Sequence, residues 1–403
     1  MWEIAENVVY VSGACNAAIY NLNTGDVYSI NDVAKKILEK VINNQELNEN
    51  EKEYMQLLSQ NHLLETRRKF VIRPYIPIKK ESKLNLVWLE ITQGCNMHCL
   101  HCYEGHKHIS CKNAISLEQW KSVIDQIIEL KVGRVIVIGG EPCIHKDIIP
   151  ILTYLRSCAP ALSITLFTNG YYLDGILSEI VIKNNIDIKV SLYGHNAEVH
   201  DRITGVEGSF NKLVDSIIRL SQNGVNINVA ITLMKENELY YKDILNFVKA
   251  LPIKGYKFDV IRKVTDGTQN EHFPLTEKII LQAYRTKANF YANKSRFDYN
   301  VFYNSCWNGK MVVTETGDIL PCVFSRNHIC GNITKSAIKD IIYGETLLSK
   351  CWECSLELID TCCDCEFRYA CIDCRATAES TNGRNKKNPR CKYDPYKGRW
   401  DCG

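Results

Sequence analysis

The chain has no run of about 18 consecutive apolar residues, so no membrane-spanning helix is expected. It has no dominant charge of either sign. A formal net charge of +3 over 403 residues gives no global attraction for nucleic acid. The first residues, MWEIAENVVYV, carry early acids and no long apolar stretch. A secretory leader is therefore not expected, and the cytoplasm is the expected compartment. A further absence is local: Cys95, Cys99 and Cys102 stand in C-x3-C-x2-C spacing within GCNMHCLHCY, and no fourth cysteine follows at matching spacing.

What is present in excess is cysteine, at 19 residues. In a short secreted chain such a count reads as a disulfide framework. Here the chain is long, 45% hydrophobic and rich in ordinary helix and strand patterns, enough for two or three domains. Most of the cysteines fall between 95 and 102 or after residue 300. That clustering favours metal or iron–sulfur ligation over disulfides.

Residues 1–80 read as a separate unit. NVVYVSG and AAIYNLNTGDVYSI are short strands with Asn23-Thr24-Gly25 as a turn. INDVAKKILEKVIN then sets Val33, Ile37, Leu38 and Val41 on one helical face. NQELNENEKEYMQLLSQNHLLE supplies further helix, and TRRKFVIRPYIPIKK reads as a linker. From residue 84 six strand–helix units follow, beginning with LNLVWLEIT, RVIVIGG, SITLFTNG, DIKVSLYG, VNINVAITLM and YKFDVIR. Ser116 and Gln119 form a capping box, and Gly224 stands where a left-handed helix end is expected. Continuous apolar strands with short connections imply a parallel α/β layer, an open sheet or partial barrel, whose working face lies at the carboxyl ends of its strands. Cys95–Cys102, Gly139-Gly140-Glu141-Pro142, Thr168-Asn169-Gly170 and Ser191–Gly194 all follow strands on that face.

Three thiolates leave one iron of a cubane open to a small chelating molecule, whereas four close it. The competing reading is a zinc tetrahedron completed by His98, His101 or His106. CNMHCLHCY after a first strand resembles the cluster loop of radical S-adenosylmethionine enzymes. The resemblance implies a partial (β/α)6 barrel in which Cys95, Cys99 and Cys102 bind a 4Fe-4S cluster whose open iron takes S-adenosylmethionine. It further implies that Gly139, Gly140, Glu141 and Pro142 receive the methionine amino group and that Ser191 lies near the ribose and carboxylate. By the same resemblance Arg202 pairs with the carboxylate, as a guanidinium fork suits, and His101 lies near the adenine. The catalytic acid, base or hydrogen donor is not assigned.

A second cysteine field follows. Cys306, Gly317 and Cys322 read C-x10-G-x4-C; Cys362, Cys365, Cys371 and Cys374 read C-x2-C-x5-C-x2-C; Cys391 comes later. This resembles the SPASM extension of the same superfamily, with the last gap one residue short. It implies an outer 4Fe-4S cluster on Cys362, Cys365, Cys371 and Cys391, and an inner one on Cys306, Cys322 and Cys374. The inner fourth ligand is open among Cys330, Cys351, Cys354, Cys363 and a substrate thiolate. Zinc ribbons are the competing reading for the C-x2-C pairs. Cys15, Cys111, Cys143 and Cys158 read as small buried or neutral residues, and Cys402 has no role.

The expected division is residues 1–80 as a winged-helix-like precursor-peptide recognition domain, 81–300 as the radical core and 301–403 as the SPASM domain. The N-terminal stretch resembles the peptide-recognition domains of ribosomal-peptide maturases, which bind a leader as an added strand. The expected activity is a peptide maturase that abstracts hydrogen from a ribosomally made precursor and installs a thioether or carbon–carbon crosslink. Its expected cofactors are S-adenosylmethionine and three 4Fe-4S clusters. Its expected partners are the precursor and a flavodoxin or ferredoxin, with no nucleic acid and no membrane. A formylglycine-forming sulfatase maturase, a peptide epimerase and a zinc-rich scaffold are the alternatives.

Overall fold

The computed structural model describes residues 2–66, 75–103, 113–262, 271–283, 290–383 and 385–401. Most of the expected linker falls in 67–74, and Cys111, His106 and Cys402 also lie outside the described residues. The chain divides into two units. One contains Met1–Glu81, Tyr284–Asn308 and Trp352–Gly403; the other contains Ser82–Ala283 and Gly309–Cys351.

In the first unit the chain runs β1 (Trp2–Ile4), β2 (Val8–Ser12), β3 (Ala17–Asn21), β4 (Val27–Ile30), α1 (Asp32–Ile42), α2 (Glu49–Gln60) and β5 (Leu64–Thr66). β2, β3 and β4 form an antiparallel sheet in that order, and β1 pairs with β5. Gly25 supplies the positive φ of +86° at the β3–β4 turn. Asn31 caps α1, and Asn48 with Glu51 forms a capping box on α2.

Every residue of β3 is buried, and strand alternation sends them to opposite faces. Ala17 and Ile19 join Ala34, Leu38, Met55 and Leu58 of the helices. Ala18 and Tyr20 join Phe297, Phe367, Ala370 and Tyr393 from the carboxyl-terminal segments. The expected face of α1 needs correction at one residue. Val33 is 59% exposed, and Ala34 takes its place beside Ile37, Leu38 and Val41. The 34, 37, 38, 41 spacing fits one helical stripe, whereas residue 33 lies about 90° from the centre of that stripe.

The second unit carries the strand–helix alternation. β6 (Leu86–Thr92) leads to α3 (Leu117–Glu129), β7 (Arg134–Gly139), α4 (Ile148–Cys158), β8 (Ser163–Thr168), α5 (Gly175–Lys183) and β9 (Asp187–Leu192). Then come α6 (Ala197–Thr204), α7 (Ser209–Gln222), β10 (Ile227–Leu233), α8 (Tyr241–Ala250) and β11 (Gly255–Val260). The six strands are parallel and in sequential order, and β11 does not pair back onto β6. Ser116 and Gln119 make the expected capping box, and Gly224 has the expected left-handed φ of +78°.

One extension has no sequence precedent. β12 (Lys310–Val313) pairs parallel with β6 and continues through β13 (Asp318–Leu320) to β14 (Gly331–Asn332). A four-residue strand has too little periodicity to stand out from the loops around it.

The two faces of the parallel sheet differ. Leu166, Val190 and Ile231 are wholly buried, whereas their neighbours Phe167, Lys189, Ser191, Asn228 and Ala230 are only half-buried. Phe258 of β11 meets Tyr241 of α8, ring centroids 4.9 Å apart, so the helices cover that face. The half-open residues line the other face, away from the helices. No helix among the described residues is long and apolar enough to cross a membrane.

Candidate active site

The cysteine loop follows β6 and is held from two sides. Within it, Cys102 N–H donates to the Cys99 carbonyl at 3.0 Å, and Met97 N–H donates to Cys95 Sγ at 3.4 Å. From outside, the amides of His98 and Leu100 donate to the carbonyls of Thr204 and Ile203 at 2.9 and 3.0 Å. Those carbonyls belong to the last turn of α6, which has no helical partner for them. One helix end thus fixes the loop.

The three thiols face one another. Burial pushes the Cys95 thiol up to about 11, and Glu141 and Cys102 add to the rise. Burial, then Cys95 and Cys102, push Cys99 further in the same direction. Thiols in that state give up protons only against a cation. Among the described residues, no three His, Cys, Asp or Glu side chains converge as a single metal ion requires. The thiolates of a cubane each hold a different iron, whereas a single ion gathers its ligands on one centre.

Glycine is obligatory at the next strand end. A Cβ on Gly139 would lie 2.3 Å from the Thr92 carbonyl oxygen, and one on Gly140 would lie 2.4 Å from that of Gly94. Gly140 N–H and Glu141 N–H donate to the Thr92 and Gly94 carbonyls, both at 2.8 Å, which seams β7 to the start of the cysteine loop. Glu141 is wholly buried. Its carboxylate accepts from Cys143 N–H at 2.9 Å, Thr168 Oγ1 at 2.7 Å and Asn169 N–H at 2.6 Å. Burial pushes this carboxyl above its ordinary range, against the lowering effect of those donors. Asn169 Nδ2 then donates to Asn96 Oδ1 at 2.8 Å. Three loops are tied together through one carboxylate, and Pro142 is buried beside it.

The remaining expected residues lie on β9 and α6 or in the loop. The His101 ring stands 4.7 Å from that of Tyr193. Ser191 lies beside the Tyr193 phenol, which also neighbours Cys99. Arg202 is exposed, and its guanidinium donates to the Glu236 carbonyl at 3.2 Å. Tyr193 was not singled out in the sequence; its position two residues after Ser191, at the carboxyl end of β9, was the available signal. Cys143 is half-buried, with Sγ 3.3 Å from Thr168 Oγ1.

The first unit gathers a second set. Cys362 neighbours Cys371 and Cys391, and Cys365 neighbours Cys371 and Cys362, so the four share one locality. Burial raises the Cys362 and Cys365 thiols. This locality adjoins the N-terminal sheet: Tyr20 is wholly buried and its hydroxyl donates to the Glu366 carbonyl at 2.8 Å. The β2–β3 turn packs against the same segment, with Ala14 N–H donating to the Asp364 carbonyl at 2.8 Å.

Cys306 and Cys374 also belong to the first unit, linked by Asp373 N–H donating to Ser305 Oγ at 3.3 Å. Cys322 belongs to the second, beside Tyr103. Cys330 and Cys351 are buried in the second unit, and Cys354 and Cys363 are half-buried in the first.

Residues 89–248 match the radical SAM superfamily. The chain is 24% identical over 315 residues to the antilisterial bacteriocin subtilosin biosynthesis protein AlbA of Bacillus subtilis, covering 74% of this chain and 69% of that protein. It is also 24% identical over 343 residues to an AdoMet-dependent heme synthase of Methanosarcina barkeri, covering 77% and 97%. Among solved structures it resembles Streptococcus suis SuiB bound to precursor peptide SuiA, with a TM-score of 0.60 at 14% identity over 96% of this chain and 99% of that one. Residues 89–248 thus carry a radical SAM superfamily domain, and the protein is an enzyme with the mostly parallel α/β fold of that class.

Proposed function

We propose that the protein is a peptide maturase that abstracts hydrogen from a ribosomally made precursor peptide and installs a thioether or carbon–carbon crosslink within it. The observation that carries this reading is the first unit, where a strand–helix module and the cysteine-rich segment share one apolar core. β4 is an edge strand with Tyr28 and Ser29 exposed, a platform on which a peptide adds as a further strand. The subtilosin biosynthesis relative and the precursor-bound SuiB support the same direction.

Functionally, residues 1–80 recognise the precursor, 81–300 carry the radical chemistry and 301–403 hold the auxiliary clusters in a SPASM domain. Cys95, Cys99 and Cys102 hold the first cluster and leave one iron for S-adenosylmethionine. Bound there, the cluster supplies the electron that cleaves S-adenosylmethionine to the 5′-deoxyadenosyl radical. The Glu141 carboxylate is already taken by three donors. Gly139, Gly140, Glu141 and Pro142 therefore receive the methionine ammonium through main-chain oxygen, although the Glu141 and Pro142 carbonyls also accept from Ile144 and His145 N–H at 3.3 and 3.0 Å. His101 flanks the adenine, Ser191 the ribose, and Arg202 the carboxylate. Cys362, Cys365, Cys371 and Cys391 hold the outer auxiliary cluster. Cys306, Cys322 and Cys374 hold the inner one, completed by a further thiol of the chain or of the substrate. A flavodoxin or ferredoxin in the cytoplasm delivers the electrons.

The test is mass spectrometry of the peptide encoded beside the gene, after incubation with reduced enzyme and S-adenosylmethionine. Loss of two hydrogens is expected. Unchanged mass with deuterium uptake from solvent makes the enzyme an epimerase, and oxidation of a sulfatase-derived cysteine peptide alone makes it a formylglycine-forming one. The extent of the heme synthase match, 97% of that protein, favours a second reading, turnover of a haem precursor. Such turnover with every peptide untouched would replace the proposal.

A further inference from the structure

The inner wall of the parallel sheet carries charge that the radical site does not use. Strand register sets Phe167, Lys189 and Asn228 in one row, and Ser191, Ala230 and Lys257 in the next. Register partners point to the same face, and this is the face away from the helices. Lys189 is half-buried with its ammonium 4.7 Å from the Phe167 ring centroid. Lys257, on the edge strand β11, is exposed and faces it. Among the described residues, neither ammonium makes a hydrogen bond or ion pair. The two further charges nearby satisfy each other: Arg262 Nη2 meets Asp259 Oδ2 at 2.9 Å.

This wall adjoins the cysteine loop. The Arg262 guanidinium stands 5.2 Å from the Phe324 ring, which meets Tyr103, next to Cys102, at 4.9 Å. Ser191, beside the Tyr193 phenol that neighbours Cys99, is one residue across from Lys257 with only Ala230 between. Burial, then the like charge of Lys257, weaken the hold of Lys189 on its proton. Half-buried Lys189 and exposed Lys257 repel each other, and an anion placed between them offsets that repulsion and the burial of Lys189.

We propose that Lys189 and Lys257 form a carboxylate-binding surface that seats an acidic side chain of the substrate peptide beside Ser191. This deepens the peptide-maturase reading and rests on it for the identity of the substrate. The same chemistry has a second source, the carboxylate of S-adenosylmethionine itself, and the experiment separates the two.

The full chain, reconstituted with iron and sulfide and saturated with S-adenosylmethionine, is titrated with N-acetyl-aspartate amide and N-acetyl-asparagine amide. The aspartyl probe is expected to bind at least about fivefold more tightly, a preference discounted for the open wall. Lys189→Gln and Lys257→Gln are each expected to bring the two probes to equal affinity. Lys257 is exposed, so its variant keeps the test alive should Lys189→Gln not fold. Equal binding of the two probes to the wild type overturns the proposal, as does a preference that survives both substitutions. Weakened S-adenosylmethionine binding with the aspartyl preference intact also overturns it, and assigns the lysines to that carboxylate. The probe readout needs no peptide turnover. A wild type that selects the aspartyl probe but modifies no precursor sinks the maturase reading and leaves the binding surface standing.

Discussion

The two cysteine sets differ in how they are assembled. Cys95, Cys99 and Cys102 come from one loop within eight residues, pinned by α6 and by the Gly139–Glu141 strand end. Cys362, Cys365, Cys371 and Cys391 span 30 residues and sit against an aromatic core shared with β3, whose Tyr20 lies more than 300 residues earlier. The first set depends on backbone close approach, the second on distant side-chain packing. Damage to one is therefore expected to spare the other.

The sharpest way to break that contrast is Gly140→Ala. Its Cβ would meet the backbone of Gln93 and Gly94 at 2.5 and 2.4 Å, and backbone does not yield as a flexible side chain does. Loop iron is expected to be lost and S-adenosylmethionine cleavage to fall more than about a hundredfold. Iron content and absorption spectra should show the Cys362–Cys391 set retained. Phe367→Ala is the reciprocal cut. Phe367 is 2% exposed and packs on Phe290 and Tyr393, ring centroids 4.7 and 5.2 Å away. About 3–5 kcal/mol of destabilisation is expected in chemical denaturation, with iron lost from the first unit and cleavage of S-adenosylmethionine kept.

A pH effect sharpens the loop side. Burial lowers His200 on α6 to about 4, and its Nδ1 accepts from Tyr193 N–H at 3.2 Å. The unfolded chain takes up this proton near pH 6.5 and the folded chain only near 4. Stability is therefore full above about 6.5 and declines as pH falls towards 4, by on the order of 2–3 kcal/mol. Thermal melts at stepped pH check this, and His200→Asn should flatten the slope. Smallest is Tyr20→Phe, which strands the buried Glu366 carbonyl and should cost about 1 kcal/mol in denaturant titration.

This contrast also explains what was legible in the sequence. The six strands β6 to β11 announced themselves, because residues such as Val135, Leu166, Val190 and Ile231 lie in short apolar runs bounded by turn signals, whereas β12 did not. The glycines at 139 and 140 stood out as a pair, though only the structure gives the reason, the approach of Thr92 and Gly94. Val33 was misplaced on α1 because an apolar residue beside a stripe looks like part of it. Cysteine spacing marked both fields. The partnership of Tyr20 with Phe297 and Tyr369 left no local trace, since residues so far apart in sequence share no period. Lys189 was hidden for a related reason: one lysine in an apolar strand reads as an edge charge until register sets it beside Phe167 and Asn228.

The most direct measurement of the central claim is 5′-deoxyadenosine release by the Cys99→Ala variant. The protein is reconstituted anaerobically with iron and sulfide, reduced and given S-adenosylmethionine. The wild type is predicted to release 5′-deoxyadenosine, and the variant to release none while keeping the iron of the Cys362–Cys391 set. Release by the variant at the wild-type rate would contradict the assignment of the three-cysteine loop as the site of the radical chemistry.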